Sequence, residues 1–528
     1  MVRHVRAAHG AEGGKERLVA EKRESVVFAR RAICGFSCLQ GFIVSLLYIG
    51  PNRMLDLGAV GFERGDIACM LLFMTCAFAL VARASSTLAS ALLSKRSLLA
   101  CSAVLAIVFA ASCVVHEPGS LALVVEGVLL GFPCALVVAM WGRALGSVPI
   151  EHSVPIFFIG SALGAAACFV VGAGLMPYIP EAELSLALLP LGSASALLRI
   201  GMPDASRADR SDAADDAAES DPAAAPASGG ELARFTKRIF AGTLLYGAAT
   251  GIMLTFGSDP GMASTPSLPV TFLLFILYCI ASLQVVEPAG RAETVRKDVV
   301  DPSLSDLGAL IVSKGREVAQ GAGKGPIDGA YRLAALLLLG GFLFVGVLED
   351  MGVPGEAVVV AGFLSVMVVL GALFLVMTRL GQIDAARIFS RGYAALFAGE
   401  FLGIVLANAI DIACVNGESA NLMVALAGLG ALMSYLFLFT EQDFSALTVA
   451  ATKADRFEET CEAIARTAAL SPRETEVLPL ALKGRTAERI AAELCISKST
   501  VDTHIRRIYA KCGVHSRQEL IDFSERIG

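Results

Sequence analysis

Residues 357–377 read AVVVAGFLSVMVVLGALFLVM, an uninterrupted apolar run that carries no charge. A helix rises 1.5 Å per residue, so about 20 apolar residues cross a hydrocarbon core of about 30 Å. Similar runs recur along the 528-residue chain, which is 55% hydrophobic and only 17% charged. Soluble proteins carry about 25% charged residues. The composition therefore excludes a disordered protein, a fibrous protein and an ordinary soluble enzyme, and it predicts a polytopic membrane protein.

Twelve segments of the chain are apolar enough over a membrane-sized window to be predicted spans. They are continuously apolar, whereas the strands of a membrane β-barrel alternate over about ten residues. We therefore expect an all-α fold, with a polytopic twelve-helix transmembrane bundle in two halves of six (6+6). The predicted spans are 32–50, 67–82, 97–115, 120–141, 154–176, 183–198, 239–256, 268–286, 333–348, 357–377, 393–415 and 421–440.

The 43 Lys and Arg residues are unevenly distributed among the loops between these spans. Eight precede the first span, 13 follow the last, 20 lie in even-numbered loops, and two (Arg53 and Arg64) lie in odd-numbered loops. Positive residues stay on the cytoplasmic side during insertion. Both termini are therefore expected in the cytoplasm. The first 31 residues lack the apolar region of a cleavable signal peptide.

Residues 201–238 interrupt the spans with Ala, Asp, Ser, Pro and Gly and with eight acidic side chains. Such a segment is expected to be a disordered cytoplasmic linker between a first six-span half (32–200) and a second (239–440). This arrangement resembles the major facilitator superfamily of transporters, whose halves are related by an axis along the membrane normal. The other predicted segments are a basic N-terminus (1–31), a connector (441–468) and a C-terminal DNA-binding domain (469–528).

Three polar residues within the predicted spans are candidate ligand-binding groups: Glu126, Glu400 and Asn408. An ionisable group inside a membrane is costly unless it faces a cavity or a partner, so it is a site hypothesis by default. Because the spans hold no basic residue, two interpretations stay open, a ligand or cation site and a set of structural hydrogen bonds. Arg143 and Trp141 are instead expected at the membrane interface.

The sequence after residue 440 becomes charged, and capping residues divide its end into four short helices. Ser471 and Glu474 form a capping box that opens the first helix. The other boundaries are marked by Gly484, Thr486, Ser497, Gly513, Ser516 and Glu519. The expected core residues are Val477, Leu478, Ile490, Leu494, Ile496, Val501, Ile505 and Ile508. A turn at 495–496 gives a helix-turn-helix, whose second helix lies in the major groove of DNA.

Residues 470–523, LSPRETEVLPLALKGRTAERIAAELCISKSTVDTHIRRIYAKCGVHSRQELIDF, resemble the DNA-binding domain of LuxR-type (NarL/FixJ, GerE) transcriptional regulators. The resemblance implies a bacterial protein that binds double-stranded DNA as a homodimer at a roughly palindromic site. It also implies that the fourth helix is the dimer contact. The matching residues include Pro472, Glu474, Gly484, Ile490, Thr500, Val501, His504 and Arg517.

The predicted recognition helix supplies the candidate DNA contacts. Its first residues are expected to meet phosphates through side chains and backbone N–H groups. Arg506 is suited to bidentate recognition of guanine. Asp502 departs from the family, in which Lys is common there; it either accepts from a cytosine amino group or weakens affinity. The predicted phosphate contacts are Lys498, Ser499, Thr500, Arg507 and Lys511, and the predicted base contacts are Asp502, Thr503 and Arg506.

Together these features predict a membrane-bound transcription regulator in the bacterial cytoplasmic membrane. Its bundle is expected to sense an unknown small-molecule signal or a membrane state and to control the tethered DNA-binding domain. A solute transporter that carries a DNA-binding tail is the alternative. An enzyme is not expected, because the sequence presents no nucleophile–base set, metal cluster or phosphate loop; neither a cofactor nor a metal is predicted. The 13 cysteines form no CxxC pair and are expected to be apolar packing residues.

Overall fold

A computed structural model describes most of the helical part of the chain. Within the described residues the fold is all-α apart from a two-stranded antiparallel ribbon, β1 (Leu55–Asp56) and β2 (Gly61–Phe62). The described residues are 26–49, 52–56, 58, 61–115, 119–201, 228–256, 267–286, 326–350, 352, 354–380, 384–413, 419–438 and 456–527. Most of the predicted N-terminal segment, linker and connector thus lies outside them.

The first half of the bundle contains seven helices within the described residues. The helix Ser86–Leu92 begins at a Ser85 cap and the helix Lys95–Val114 at a Ser94 cap, and each cap accepts a backbone N–H of the first turn. A π-helical turn (Val170–Leu175) continues the helix Ile150–Phe169, and a 3₁₀ helix (Pro180–Leu188) leads into the helix Leu189–Ile200. The helices are α1 (Val26–Tyr48), α2 (Gly65–Arg83), α3 (Ser86–Leu92), α4 (Lys95–Val114), α5 (Ser120–Gly146), α6 (Ile150–Phe169) and α7 (Leu189–Ile200).

The second half contains six described helices, and the first of them begins before its predicted span. Residues 228–238, predicted as linker, are helical, so that boundary was wrong; the apolar pattern marks only the later part of this helix. The helices are α8 (Ser228–Phe256), α9 (Leu268–Val286), α10 (Pro326–Asp350), α11 (Gly355–Leu380), α12 (Ala385–Ala413) and α13 (Ser419–Leu438).

Eight helices among the described residues are long and apolar enough to cross a membrane. Three shorter apolar helices, Leu268–Gln284, Gly329–Phe344 and Asn421–Leu436, coincide with further predicted spans. The remaining predicted span, 239–256, lies within α8. The polytopic membrane class is therefore supported, while the number twelve stays a prediction.

Close backbone contacts join α8 to α12. A Cβ at Gly251 would overlap the carbonyl oxygen of Glu400, and a Cβ at Gly403 would overlap that of Ala248. Glycine therefore lets the two helices approach to backbone contact, as small residues do between membrane helices. This contact fixes the backbone of the helix turn that carries Glu400.

The C-terminal unit (residues 456–527) has five helices, namely the four predicted after residue 469 and one that lies within the predicted connector. Helix α14 (456–467) precedes the four predicted ones, and its Ile464 is fully buried in the same core as Leu478 and Val501. The core thus begins before the predicted boundary at residue 469, because α14 supplies apolar side chains that the cap pattern does not reveal. The other helices are α15 (Pro472–Leu482), α16 (Ala487–Glu493), α17 (Lys498–Cys512) and α18 (Arg517–Ile527).

The predicted capping residues set the boundaries of these helices. Ser471 and Glu474 form a complete capping box at the start of α15, and Thr486 and Ser497 cap α16 and α17. Gly513 ends α17 at φ 70°, a left-handed conformation that glycine adopts without strain. All eight predicted core residues belong to the core of the C-terminal unit, fully buried or partly so.

Candidate functional site

Helices α16 and α17 form a helix-turn-helix whose second helix packs with one face on the core of the C-terminal unit. The turn passes through Cys495, which has a φ of 51°. Val501 and Ile508 of α17 are fully buried, so one face of the helix is fixed on the core. The opposite face is free for a partner. Seven predicted DNA contacts on α17 are exposed, namely Lys498, Ser499, Thr500, Thr503, Arg506, Arg507 and Lys511, while Asp502 is half-buried.

The first turn of α17 concentrates hydroxyl groups around its cap. Ser497 Oγ lies 2.9 Å from Ser499 Oγ and 2.7 Å from Thr500 Oγ1, and it accepts the Thr500 N–H at 3.1 Å. A helix N-terminus presents backbone N–H groups and a partial positive charge, which suit a phosphate. The predicted phosphate contacts at this end of α17 are therefore grouped in a suitable geometry.

Lys498, at the start of α17, is paired within the protein. Its ammonium forms an ion pair with Glu488 of α16, and both side chains are more than half exposed. The hydrogen bond from Lys498 lowers the pKa of Glu488, and the same bond raises the pKa of Lys498. A DNA phosphate that binds Lys498 would therefore compete with Glu488.

Lys511 occupies a different position from the other predicted phosphate contacts. Its Nζ donates to Glu474 Oε2 at 2.6 Å and to the Ala469 carbonyl oxygen at 3.1 Å. The hydrogen bond from Lys511 lowers the pKa of the Glu474 carboxyl to about 2, and the bond from the Ser471 N–H adds to this. Lys511 thus ties the end of α17 to the capping box of α15, a role that the sequence did not indicate.

Arg517 was matched to the family by sequence, but no role was predicted for it. Its Nε and Nη2 donate to the Ala481 carbonyl oxygen at 3.0 and 2.7 Å, and Nη2 also donates to the Arg485 carbonyl oxygen at 3.0 Å. These carbonyls lie at and just beyond the end of α15. Arg517 therefore fixes α18, the predicted dimer helix, against α15.

Glu126, the first predicted ligand residue, has a basic partner. Arg53 Nη1 donates to both carboxylate oxygens of Glu126 at 3.1 Å, and Arg53 Nη2 donates to the Ser112 carbonyl oxygen. The spans hold no basic residue, but Arg53 reaches Glu126 from the loop between α1 and α2. The two side chains are 11% and 18% exposed, so the pair is largely shielded from water.

Asn408, the third predicted ligand residue, joins α12 to the loop before α2. Its Oδ1 accepts the Glu63 N–H at 2.7 Å, and its Nδ2 donates to the carbonyl oxygens of Glu63 at 3.1 Å and Ile404 at 2.9 Å. The amide thus serves backbone groups of both halves of the bundle.

Glu400 differs from the other two. It is 2% exposed, and its Oε2 has no hydrogen-bond partner among the described residues. Of the three predicted ligand residues, Glu400 alone presents a free oxygen to a ligand or a proton.

The predicted interface residues Trp141 and Arg143 are buried. Trp141 is fully buried and donates to Ser193 Oγ at 2.8 Å. Arg143 Nη2 lies 2.5 Å from Asp384 Oδ2, with side chains 8% and 12% exposed. A span position alone does not show which helix face is turned toward other helices, so this burial was not predicted; the depth of both residues relative to the membrane stays a prediction. Within the described residues, no group of three His, Cys, Asp or Glu side chains is arranged to hold a metal.

Comparison with solved structures gives likenesses over most of the chain. The human organic anion transporter MFSD10 (TETRAN) aligns with 79% of this chain and 99% of its own at 14% identity and a TM-score of 0.46. FucP, a Major Facilitator Superfamily transporter in the outward conformation, aligns with 79% of this chain and 99% of its own at 12% identity and a TM-score of 0.44.

A family comparison identifies the C-terminal part of the chain. Residues 468–524 match bacterial regulatory proteins of the luxR family. The matched segment contains α15 to α17 and most of α18, and so includes the helix-turn-helix. Residues 468–524 are therefore a LuxR-family helix-turn-helix domain.

Proposed function

We propose that this protein is a membrane-bound transcription regulator of the bacterial cytoplasmic membrane. One observation carries the proposal: an exposed recognition helix of the LuxR family lies in the same chain as a set of helices apolar enough to cross a membrane. The bundle senses a signal, and the C-terminal unit binds specific sequences in double-stranded DNA.

The proposed topology has twelve spans with both termini in the cytoplasm, which follows from the distribution of Lys and Arg. It keeps the DNA-binding domain on the side of the chromosome. Residues 439–455 separate α13 from α14. Fully extended, a segment of this length spans at most about 60 Å. The bound DNA therefore lies close to the inner leaflet.

DNA recognition is assigned to the exposed face of α17. Lys498, Ser499, Thr500 and Arg507 contact phosphates, whereas Thr503 and Arg506 face the bases. Arg506 reads guanine through its two parallel N–H groups. Asp502 accepts from a cytosine amino group, and α18 pairs two units into a homodimer.

The signal is assigned to the bundle, and Glu400 is its best candidate site. A buried carboxyl with a free oxygen can gain a hydrogen bond or a positive partner when a ligand binds. A ligand that binds one arrangement of the bundle more tightly than another shifts the balance between them. In this proposal Glu126 and Asn408 stabilise the helix bundle through their bonds to Arg53 and Glu63 and do not contact the ligand.

Genome-wide mapping of the tagged full-length protein tests the proposal. Arg506→Ala is expected to abolish enrichment at specific sites while the amount of protein in the membrane stays the same. Arg473→Ala removes an exposed arginine outside the proposed face and serves as the matched control. Equal maps for the wild type and Arg506→Ala, or enrichment at no site, would contradict the proposal.

Solute transport is the competing function, and the free carboxyl oxygen of Glu400 favours it as well, because such groups also mark solute pathways. Uptake of candidate solutes by proteoliposomes separates the two functions. Uptake that Glu400→Gln abolishes, without any specific DNA binding, would favour the transporter.

A further inference from the structure

The end of α11 and the start of α12 contact two different parts of the molecule. Arg379 Nη1 of α11 lies 3.3 Å from Glu458 Oε2 of α14, in the C-terminal unit. Asp384, immediately before α12, is paired with Arg143 of α5, in the first half of the bundle. One short stretch of sequence therefore touches both the DNA-binding unit and the opposite half of the bundle.

The contact with the first half is well shielded. Arg143 donates to Asp384 through both Nε, at 3.3 Å, and Nη2, at 2.5 Å. One turn into α12, Arg387 Nη2 donates to the Ala84 carbonyl oxygen at 3.0 Å, just beyond α2. Phe389 lies directly on Gly142 and leaves no room for a Cβ there. The start of α12 can shift against the first half only by breaking these contacts together, which favours two discrete arrangements.

The Arg379–Glu458 contact with the C-terminal unit is weaker than the Arg143–Asp384 contact, but it lies on a helix that is anchored to the core of that unit. Arg379 is 15% exposed and Glu458 is 61% exposed, so solvent screens the pair. Glu458 belongs to a helix that is anchored to the unit, because Ile464 is fully buried and Lys483 lies 5.3 Å from the Phe457 ring centroid. A displacement of α14 is therefore passed to the core on which the recognition helix rests.

We propose that the Arg379–Glu458 pair is the contact through which a rearrangement of the bundle at Arg143–Asp384 changes the placement of the DNA-binding unit. This inference rests on the proposed regulatory function and deepens it by naming the contact that links the membrane bundle to the DNA-binding unit. The shielded pair senses the state of the bundle, and the exposed pair, which breaks readily, transmits it.

Charge reversal tests the role of the Arg379–Glu458 pair in the full-length protein in cells. Arg379→Glu and Glu458→Arg are each expected to change transcript levels at the mapped target genes in the same direction. The expected change is about two- to five-fold, the range that corresponds to an exposed ion pair. The double variant restores the pair with its charges exchanged and is expected to return transcripts to the wild-type level. Glu462→Arg makes the same charge change one turn later on α14 and is expected to have no effect.

Transcripts at the wild-type level in both single variants, with target DNA still recovered, would overturn the proposed role of the Arg379–Glu458 pair. A double variant that is no closer to the wild type than the single variants would do so too. Failure to recover target DNA with the wild-type protein would instead contradict the regulatory function itself.

A cysteine pair gives a second measurement that does not depend on transcription. Arg379→Cys and Glu458→Cys are combined with a protease site inserted between residues 439 and 455. After treatment of the membranes with a bifunctional thiol cross-linker, long enough to replace the two original side chains, and cleavage, the C-terminal unit is expected to remain attached only when both cysteines are present. Release of the unit from the double-cysteine protein, as from either single-cysteine protein, would overturn the contact. This result decides the proposal even if the charge-reversed proteins fail to fold.

Discussion

Charged side chains have opposite roles in the bundle and in the C-terminal unit. Arg143 and Asp384 of the bundle are nearly shielded from water and satisfy each other, whereas Arg506 and Arg507 of the C-terminal unit are exposed. A water-poor interior penalises an unpaired charge, while a DNA-binding surface requires free positive charge. We therefore interpret the paired charges of the bundle as structural, and we propose that the exposed positive charges of α17 bind DNA.

Three residues depart from this rule, one in the bundle and two in the C-terminal unit. Glu400 is buried in the bundle with a carboxyl oxygen that has no partner among the described residues, and Lys498 and Lys511 are predicted DNA contacts that are paired within their own unit, Lys498 with an exposed carboxylate and Lys511 with a buried one. We therefore propose a functional role for Glu400 and a stabilising role for Lys511, which reverses the role typical of each region. The following predictions test both the rule and its exceptions.

Asp384→Ala is expected to have the largest effect on stability. It leaves the buried Arg143 guanidinium without its carboxylate, which costs about 3–5 kcal/mol. Denaturant unfolding of the purified full-length protein in detergent measures the change. Glu476→Ala removes a carboxylate that pairs with the exposed Arg473 and is expected to cost less than about 1 kcal/mol. Equal costs for the two variants would show that burial of the pair does not matter.

Lys511→Met is expected to destabilise the C-terminal unit by about 1–3 kcal/mol, because it removes a charge-assisted hydrogen bond to the buried Glu474. Hydrogen exchange of the α15 amides in the full-length protein measures the change. Lys498→Met, which removes a lysine paired with an exposed carboxylate, is the matched control. Similar exchange rates in the two variants would contradict the structural role of Lys511.

The same pair predicts a dependence on pH. The Glu474 pKa of about 2 lies below its ordinary value of 4.5. Its contribution to stability is therefore complete above about pH 4.5 and is lost as the pH falls toward 2. The α15 amides of Lys511→Met are expected to lose less protection over this interval than those of the wild type. An equal loss in both proteins would show that Lys511 does not set this pKa.

How far the sequence predicts this fold depends on the range of the interactions involved. Every predicted span falls on a helix, and Ser471, Thr486 and Ser497 cap their helices, because hydropathy and capping act within a few residues. The burial of Trp141 was missed, because it depends on Ser193, a residue distant in sequence.

The candidate sites also differ in whether they depend on neighbouring residues or on residues distant in sequence. The exposed face of α17 could be predicted, since one helix and its periodicity define it. The pairing of Glu126 with Arg53 could not, because it joins residues 73 positions apart. The sparse basic residues of the odd-numbered loops, Arg53 and Arg64, were the available signal. Arg64 is itself buried and donates to the Leu254 carbonyl oxygen of α8 at 3.3 Å.

Glu488→Gln is expected to strengthen DNA binding by about two- to five-fold, because it frees Lys498 from an exposed ion pair. The slope of log affinity against log salt is expected to steepen by up to about one ion. Titration of target DNA at several salt concentrations measures both quantities. Glu462→Gln, an equal charge change at an exposed position of α14, is the control. An identical gain in the control would attribute the effect to net charge alone.

Glu400→Gln is expected to have the smallest effect on stability, less than about 1 kcal/mol, because the two side chains have the same shape and Glu400 Oε2 has no described partner to lose. Its effect is expected on the transcripts of target genes instead. Unfolding in detergent and transcript measurement are made on the same variant. A loss of stability comparable to that of Asp384→Ala, with unchanged transcripts, would make Glu400 structural.

The central claim is that a DNA-reading domain is tethered to the cytoplasmic face of a membrane bundle. Retention of labelled target DNA by membrane vesicles of known orientation tests it most directly. Inside-out vesicles that contain the wild-type protein are expected to retain target DNA over random competitor, and Arg506→Ala is expected to abolish this retention. Retention by right-side-out vesicles, or equal retention of target and random DNA by inside-out vesicles, would contradict the account.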